Sequence, residues 1–176
     1  FRGAIMIFLS GVHGVGKSYF CRLAKEVTGI ESYSASELIA QKRQIEFSQN
    51  KFIPDIEDNQ PYLLQAVAEL KATGQNFILD GHFCLLDGTG KVQRISRDTF
   101  ITLMPESIIL LTEKPEIIAD RRRARDKVDV NESSIIDFQL QECNYAKELA
   151  ENIGAQLFIS GGSGDIANAI EFIKSL

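Results

Sequence analysis

The chain has 176 residues, 44% of them hydrophobic and 24% charged, the composition of a globular protein of one-domain size. Nineteen Lys and Arg against 24 Asp and Glu leave a net charge of −5, the wrong sign for a surface that grips nucleic acid broadly, so an anionic ligand has to be met by a local site. No run approaches the roughly 18–20 consecutive apolar residues of a membrane span, and the opening FRGAIMIFLSG is too short for a secretory leader. Three cysteines without C-x-x-C spacing indicate neither a disulfide framework nor zinc. One cytoplasmic domain over residues 1–176 is expected. With His13 and His82 as the only histidines, any metal should be an oxygen-bound cation.

In chain order, the first predicted element is an apolar strand over Ala4–Leu9, followed by Gly11-Val12-His13-Gly14-Val15-Gly16-Lys17-Ser18, a match to G-x-x-x-x-G-K-[ST]. Glycines at 11, 14 and 16 let the backbone turn and gather N–H groups into one concavity. The helix predicted over 16–28 adds its N-terminal dipole, Lys17 a full positive charge, and Ser18 a hydroxyl for Mg²⁺ on the β- and γ-phosphates. A strand before the motif and an amphipathic helix with Phe20, Leu23, Ala24 and Val27 after it are the setting of a phosphate-binding loop.

A weak strand at 32–34 leads into a helix over 35–48, which Ser34 or Ser36 can cap, and a third helix over 59–73 carries Pro61 in its first turn and Gly74 at its end. The strand over 76–80 ends in Asp80. Ligands collect at the carboxyl ends of parallel strands, so Asp80 is expected to face the phosphates, hold the Mg²⁺ shell through water, and orient or deprotonate the acceptor; a turn-capping role is the plainer alternative. His82 either contacts substrate or lies on a solvent-facing loop. Residues 82–96, around Asp87-Gly88-Thr89-Gly90, read as an inserted hairpin.

The remaining elements are a helix over 97–104, a strand over 107–112, helices over 115–126 and 132–152, a strand over 156–160 and a helix over 164–175. Strands linked by helices define an α/β fold with a parallel sheet. Arg121-Arg122-Arg123-Ala124-Arg125-Asp126-Lys127 places five positive charges in seven residues of an acidic chain. Arg121 and Arg125 share a helix face and Arg122 neighbours Arg125, so a pair can close on a polyanion and neutralise transition-state charge. A solvated helix end paired with Asp120 and Asp126 is the alternative.

Together these motifs resemble the P-loop nucleoside and nucleotide kinases, most of all the archaeal-type adenylate kinases and their bacterial ATP-binding relatives. The likeness is carried by the loop at 11–18, Asp80-Gly81-His82, the Gly-rich hairpin turn at 87–90, Arg122-Arg123-Ala124-Arg125-Asp126 and Gln141-Glu142-Cys143-Asn144. The resemblance implies a three-layer fold on a five-stranded sheet of order 2-3-1-4-5. It implies ATP held by Gly11, His13, Gly14, Val15, Gly16, Lys17, Ser18, Tyr19 and Arg122, with Gly162 and Ser163 beside the adenine. Lys17, Asp80, Arg122 and Arg125 would be catalytic, with Ser18 and Asp80 toward Mg²⁺. Ser34, Glu37, Arg43 and His82 would surround the acceptor. The expected activity is transfer of the γ-phosphoryl of ATP to AMP or another nucleoside monophosphate, with no membrane and no nucleic acid as partner. The lid after Asp126 is short for this family, which keeps a second reading open: an ATP-binding regulatory or NTPase module that signals to a protein or RNA partner.

Overall fold

The computed structural model describes residues 3–50 and 59–176. In chain order the elements are β1 (Met6–Ser10), α1 (Lys17–Thr28), β2 (Glu31–Ser34), α2 (Ala35–Asn50), α3 (Gln60–Ala72), β3 (Phe77–Asp80), β4 (Cys84–Leu86), β5 (Val92–Arg94), α4 (Arg97–Leu103), β6 (Ser107–Leu111), α5 (Pro115–Asp126), α6 (Glu132–Ile153), β7 (Gln156–Ser160) and α7 (Ile166–Lys174). β1, β2, β3, β6 and β7 form one parallel sheet in the order β2-β3-β1-β6-β7. Numbered among themselves, these strands run 2-3-1-4-5. β4 and β5 pair antiparallel as a separate hairpin, the insertion predicted between residues 82 and 96.

Helices cover both faces of the sheet, which explains the unbroken apolar sequence of the central strands. All five residues of β1 and of β6 are buried. Successive side chains of a strand point to opposite faces: Met6 and Phe8 enter a cluster with Leu63, Val67, Phe100 and Leu149 from α3, α4 and α6. Ile7 and Leu9 enter the opposite one with Phe20, Ile118 and Ile170 from α1, α5 and α7. Phe8 packs on Phe83 at 4.8 Å between ring centroids and edge-on to Phe100 at 5.4 Å. Each such buried ring contributes about 1.5–3 kcal/mol of transfer free energy. Among the described residues no helix is long and apolar enough to cross a membrane.

Local chemistry sets the ends of the helices. Pro115 occupies the first turn of α5, the Asn131 side chain accepts from Ser133 N–H at 2.9 Å to start α6, and Gly154 ends α6 at φ +69°. At α2 the candidate caps Ser34 and Ser36 pair with each other, Oγ to Oγ, at 3.0 Å. The register matters most for function: Asp80 stands opposite Leu9 of β1 on one side and Ser34 of β2 on the other. A carboxylate and a hydroxyl are thereby delivered to the sheet edge where the glycine-rich loop leaves β1.

Candidate active site

The glycine-rich loop is fastened by its own valines. Val12 and Val15 are buried in the second core cluster, and Val15 N–H bonds back to Val12 O at 3.1 Å. Gly14 and Gly16 have φ of +91° and +105°, conformations that cost a side-chain-bearing residue. At Gly11 space is the limit, because a Cβ there would lie 2.7 Å from Val15 Cγ1 and 2.9 Å from Leu111 O. Gly11→Ala is expected to destabilise the protein by about 1–3 kcal/mol, the usual cost of overpacking. Denaturant unfolding would measure it, and an unshifted midpoint would mean that the loop yields at no cost.

At the start of α1, Lys17 turns its ammonium across to the end of β3. Its Nζ lies 2.8 Å from Asp80 Oδ1, donates to Gly81 O at 3.0 Å, and sits 3.4 Å from His82 Nε2. An ammonium has three hydrogens, so these acceptors match its donor capacity. The side chains of Lys17 and Asp80 are only 12% and 22% exposed, which keeps the pair partly desolvated and electrostatically strong. Gly81 makes the crossing tight: a Cβ there would meet the Phe8 ring at 2.9 Å.

Three arginines of α5 bind the outer side of the same loop. Arg121 Nη1 donates to Gly14 O and Val15 O at 3.3 and 3.1 Å, and Arg122 Nε donates to His13 O at 2.6 Å. Arg125 Nη2 lies 3.0 Å from His13 Nδ1, and His13 Nε2 lies 3.1 Å from Asp126 Oδ2. Burial pushes the Arg122 guanidinium below its ordinary pKa, while the bonds from His13 and Arg125 hold Asp126 below the usual carboxylate range. Arg121, Arg122 and Arg125 all reach the loop, whereas Arg123 turns away to Asp120 Oδ1 at 3.1 Å and Val130 O at 3.3 Å. Arg121, grouped with Arg125 by helical spacing, meets the loop through its carbonyls. Arg125→Ala is expected to lower turnover far more than Arg123→Ala, which should stay within about twofold of the parent, as loss of an exposed ion pair does. Steady-state kinetics of both variants would decide; equal losses would contradict the face assignment.

Three cavities surround this machinery. One of about 260 Å³ is enclosed by the loop, Lys17, Ser18, Asp80, His82 and the three arginines. On the far side of α1's start, a cavity of about 370 Å³ is bounded by Tyr19, Thr112, Arg121, Ser160, Gly162 and Ser163. The turn predicted beside a base therefore faces Tyr19. Beneath it lies Glu113, 8% exposed, which accepts from Ser163 N–H and Lys114 N–H at 3.0 and 2.9 Å. Burial acts to raise its pKa, but these two N–H donors and Arg121 outweigh it and keep Glu113 below its ordinary value. Sequence reasoning passed over Glu113, whose one signal was a carboxylate just beyond an apolar strand.

The third cavity, about 500 Å³, opens on the other side of Lys17. Its floor is apolar, with Phe8, Leu63, Phe100 and Leu103, and Leu85 and Ile95 of the hairpin close one side. Ser34, Arg43 and His82, expected around an acceptor, are among its lining residues. Glu37 is not: it is exposed and stands outside these walls. Residues 36, 39, 40 and 43 share the inward face of α2 at three-to-four-residue spacing, and position 37 lies about 100° away from 36. The hairpin and the start of α4 are pinned on α6, where Glu148 accepts from Arg94 and Arg97 at 2.8 and 3.0 Å. Tyr145 Oη also donates to Ile95 O at 2.5 Å.

Ser18 and Asp80 both border the 260 Å³ cavity and offer only oxygen donors. Among the described residues no group of three or more His, Cys, Asp or Glu converges as a metal cage. This donor set fits Mg²⁺, which takes one or two protein oxygens and completes its shell from phosphate and water. Cys21 and Cys84 are buried and their thiols are pushed up to about 11 and about 12, chiefly by burial, so neither is a nucleophile near neutral pH.

An anion-binding loop at the sheet's carboxyl edge, a lysine against a strand-end aspartate, and flanking cavities define a P-loop nucleotide-binding protein. A family model described as AAA domain matches residues 10–136, and the chain belongs to that family. Comparison with curated protein sequences gives no match. Among solved structures, a gluconokinase from Sinorhizobium meliloti 1021 superposes with a TM-score of 0.53 at 17% identity, covering 97% of this chain and 90% of that one. A shikimate kinase from Bacteroides thetaiotaomicron gives 0.54 at 13% identity, covering 97% of each chain. An uncharacterized protein from Eubacterium ventriosum ATCC 27560 gives 0.55 at 12% identity, covering 97% of this chain and 96% of that one. These similarities establish the P-loop kinase fold.

Proposed function

We propose that the protein is an ATP-dependent phosphotransferase that moves the γ-phosphoryl group to a small acceptor, AMP or another nucleoside monophosphate. One observation carries this reading: Lys17, Asp80 and His82 are shared walls of the 260 Å³ and 500 Å³ cavities. A phosphoryl group held in the first cavity is thus presented to a molecule held in the second, as in-line transfer requires. The neighbours named gluconokinase and shikimate kinase support the general reading, since both pair this fold with a small acceptor. Arg43 supplies a cation for the acceptor's phosphate, and the Phe8–Phe100 floor an apolar bed for its base.

In this mechanism Lys17 exchanges Asp80, Gly81 O and His82 for phosphate oxygens. The loop amides hold the triphosphate tail, while Arg121 and Arg122 keep their carbonyls turned outward. Ser18 and Asp80 would hold Mg²⁺, which would supply neutralisation of phosphate charge. Arg122 and Arg125 supply positive potential at the migrating group.

A screen of AMP, other monophosphates, nucleosides, gluconate and shikimate-like alcohols, with ADP release as readout, tests the reading. AMP should raise turnover at least about tenfold above hydrolysis, equivalent to about 1.4 kcal/mol of barrier. Hydrolysis that no acceptor stimulates would instead favour the regulatory NTPase. One observation favours that second reading: Arg121 and Arg122 already spend hydrogen bonds on loop carbonyls.

A further inference from the structure

Glu142 lies mid-way along α6, and its side chain is fully buried. Burying a carboxylate is costly unless its oxygens are satisfied. Glu142 Oε2 is satisfied twice, accepting from Ser10 Oγ at 3.2 Å and Phe83 N–H at 3.1 Å. Oε1 has no hydrogen-bond partner, and neither does the buried Nδ1 of His82, 3.6 Å away. The two orphaned atoms face each other just beyond hydrogen-bond distance; a carboxylate only accepts, so the tautomer that lets a small closure pair them carries its hydrogen on Nδ1. The other ring nitrogen then carries a lone pair, and it faces Lys17 Nζ, which only donates, at 3.4 Å. Both neighbours demand the same tautomer.

We infer that Glu142 is a positioning residue: its buried carboxylate fixes His82 with the hydrogen on Nδ1, so that the Nε2 lone pair stands at the junction of the two cavities as proton acceptor for the incoming substrate. The catalytic part rests on the phosphotransferase reading. Once Lys17 turns to the triphosphate, Nε2 is left facing the acceptor cavity, whose wall His82 forms. An acceptor bearing an O–H, whether a hydroxyl or a singly protonated phosphate, gives its proton to Nε2. The electron pair of that O–H bond forms the new bond to the γ-phosphorus. The bond from phosphorus to the β,γ-bridging oxygen breaks, and its pair leaves on ADP. The imidazolium so formed is paired with the Glu142 carboxylate, the logic by which a buried acid serves a catalytic histidine.

Glu142→Gln tests this sharply. Ser10 Oγ and Phe83 N–H both donate to the Oε2 position, so the glutamine oxygen must take that place and its NH₂ must face His82. A donor opposite Nδ1 moves the hydrogen to Nε2 and removes the lone pair from the junction. ¹⁵N NMR should show His82 as the Nδ1–H tautomer in the parent and as Nε2–H in Glu142→Gln; the spectrum of His82→Gln assigns the signal, since His13 is the only other histidine. Turnover with the best acceptor should fall roughly 10²–10⁴-fold with ATP affinity unchanged. His82→Gln should fall similarly, and the double variant no further.

A parent His82 with its hydrogen on Nε2 overturns the proposal even if Glu142→Gln fails to fold. The same tautomer in parent and variant, or turnover of Glu142→Gln within about threefold of the parent, overturns it as well. If the parent transfers to no acceptor, the phosphotransferase reading fails separately. The tautomer comparison then decides by itself whether Glu142 sets His82.

Discussion

Replacing Lys17 by alanine is expected to abolish phosphoryl transfer while leaving a folded protein. Lys17 is the one full positive charge contributed by the loop itself, and its three partners are all at the end of β3 or just beyond it. None belongs to the apolar clusters on either face of the sheet, so the packing that holds the loop survives the change. Transfer should fall at least about 10²–10³-fold, the loss seen when one preorganised electrostatic contact to the developing charge is removed. A coupled ADP assay beside a thermal melt would measure both. Cooperative melting with normal turnover would contradict the site assignment.

Asp80→Asn carries the second large effect. The substitution keeps size and hydrogen-bonding reach but removes the charge that faces both Lys17 and the phosphate cavity. The apparent affinity for Mg²⁺ should weaken about 10–100-fold, in the range found for residues that support a metal without caging it, and turnover at saturating ATP should fall with it. Titrating activity against Mg²⁺ measures the shift. An unchanged titration would return Asp80 to capping the turn before Gly81.

The parts of this site that follow contiguous rules are readable from the chain. Consecutive apolar residues at 6–9 and 108–111 announce strands buried on both faces, and the glycine spacing at 11–16 needs no tertiary context. Asp80 follows because a parallel sheet gathers strand ends on one edge. The arginine run was legible as a cluster, but its targets were not: helical spacing groups Arg121 with Arg125 without revealing that Arg121 and Arg122 reach loop carbonyls from 106 to 109 residues away.

Glu142 and Glu113 were hidden for a different reason. An acid within an amphipathic helix, or just after a strand, reads as solvated, and only the donors brought by Ser10, Phe83, Lys114 and Ser163 make their burial tolerable. The Gln141-Glu142-Cys143-Asn144 pattern was the single sequence signal near Glu142. Glu37, expected around the acceptor from the resemblance alone, is exposed and does not line that cavity, because helical rotation turns it about 100° from Ser36.

Calorimetric titration of the protein with ATP in magnesium buffer tests most directly whether the loop at 11–18 captures a triphosphate. A saturable heat at one nucleotide per chain, lost in Lys17→Ala, is predicted. No heat with ATP or any other nucleoside triphosphate would contradict the account at its root.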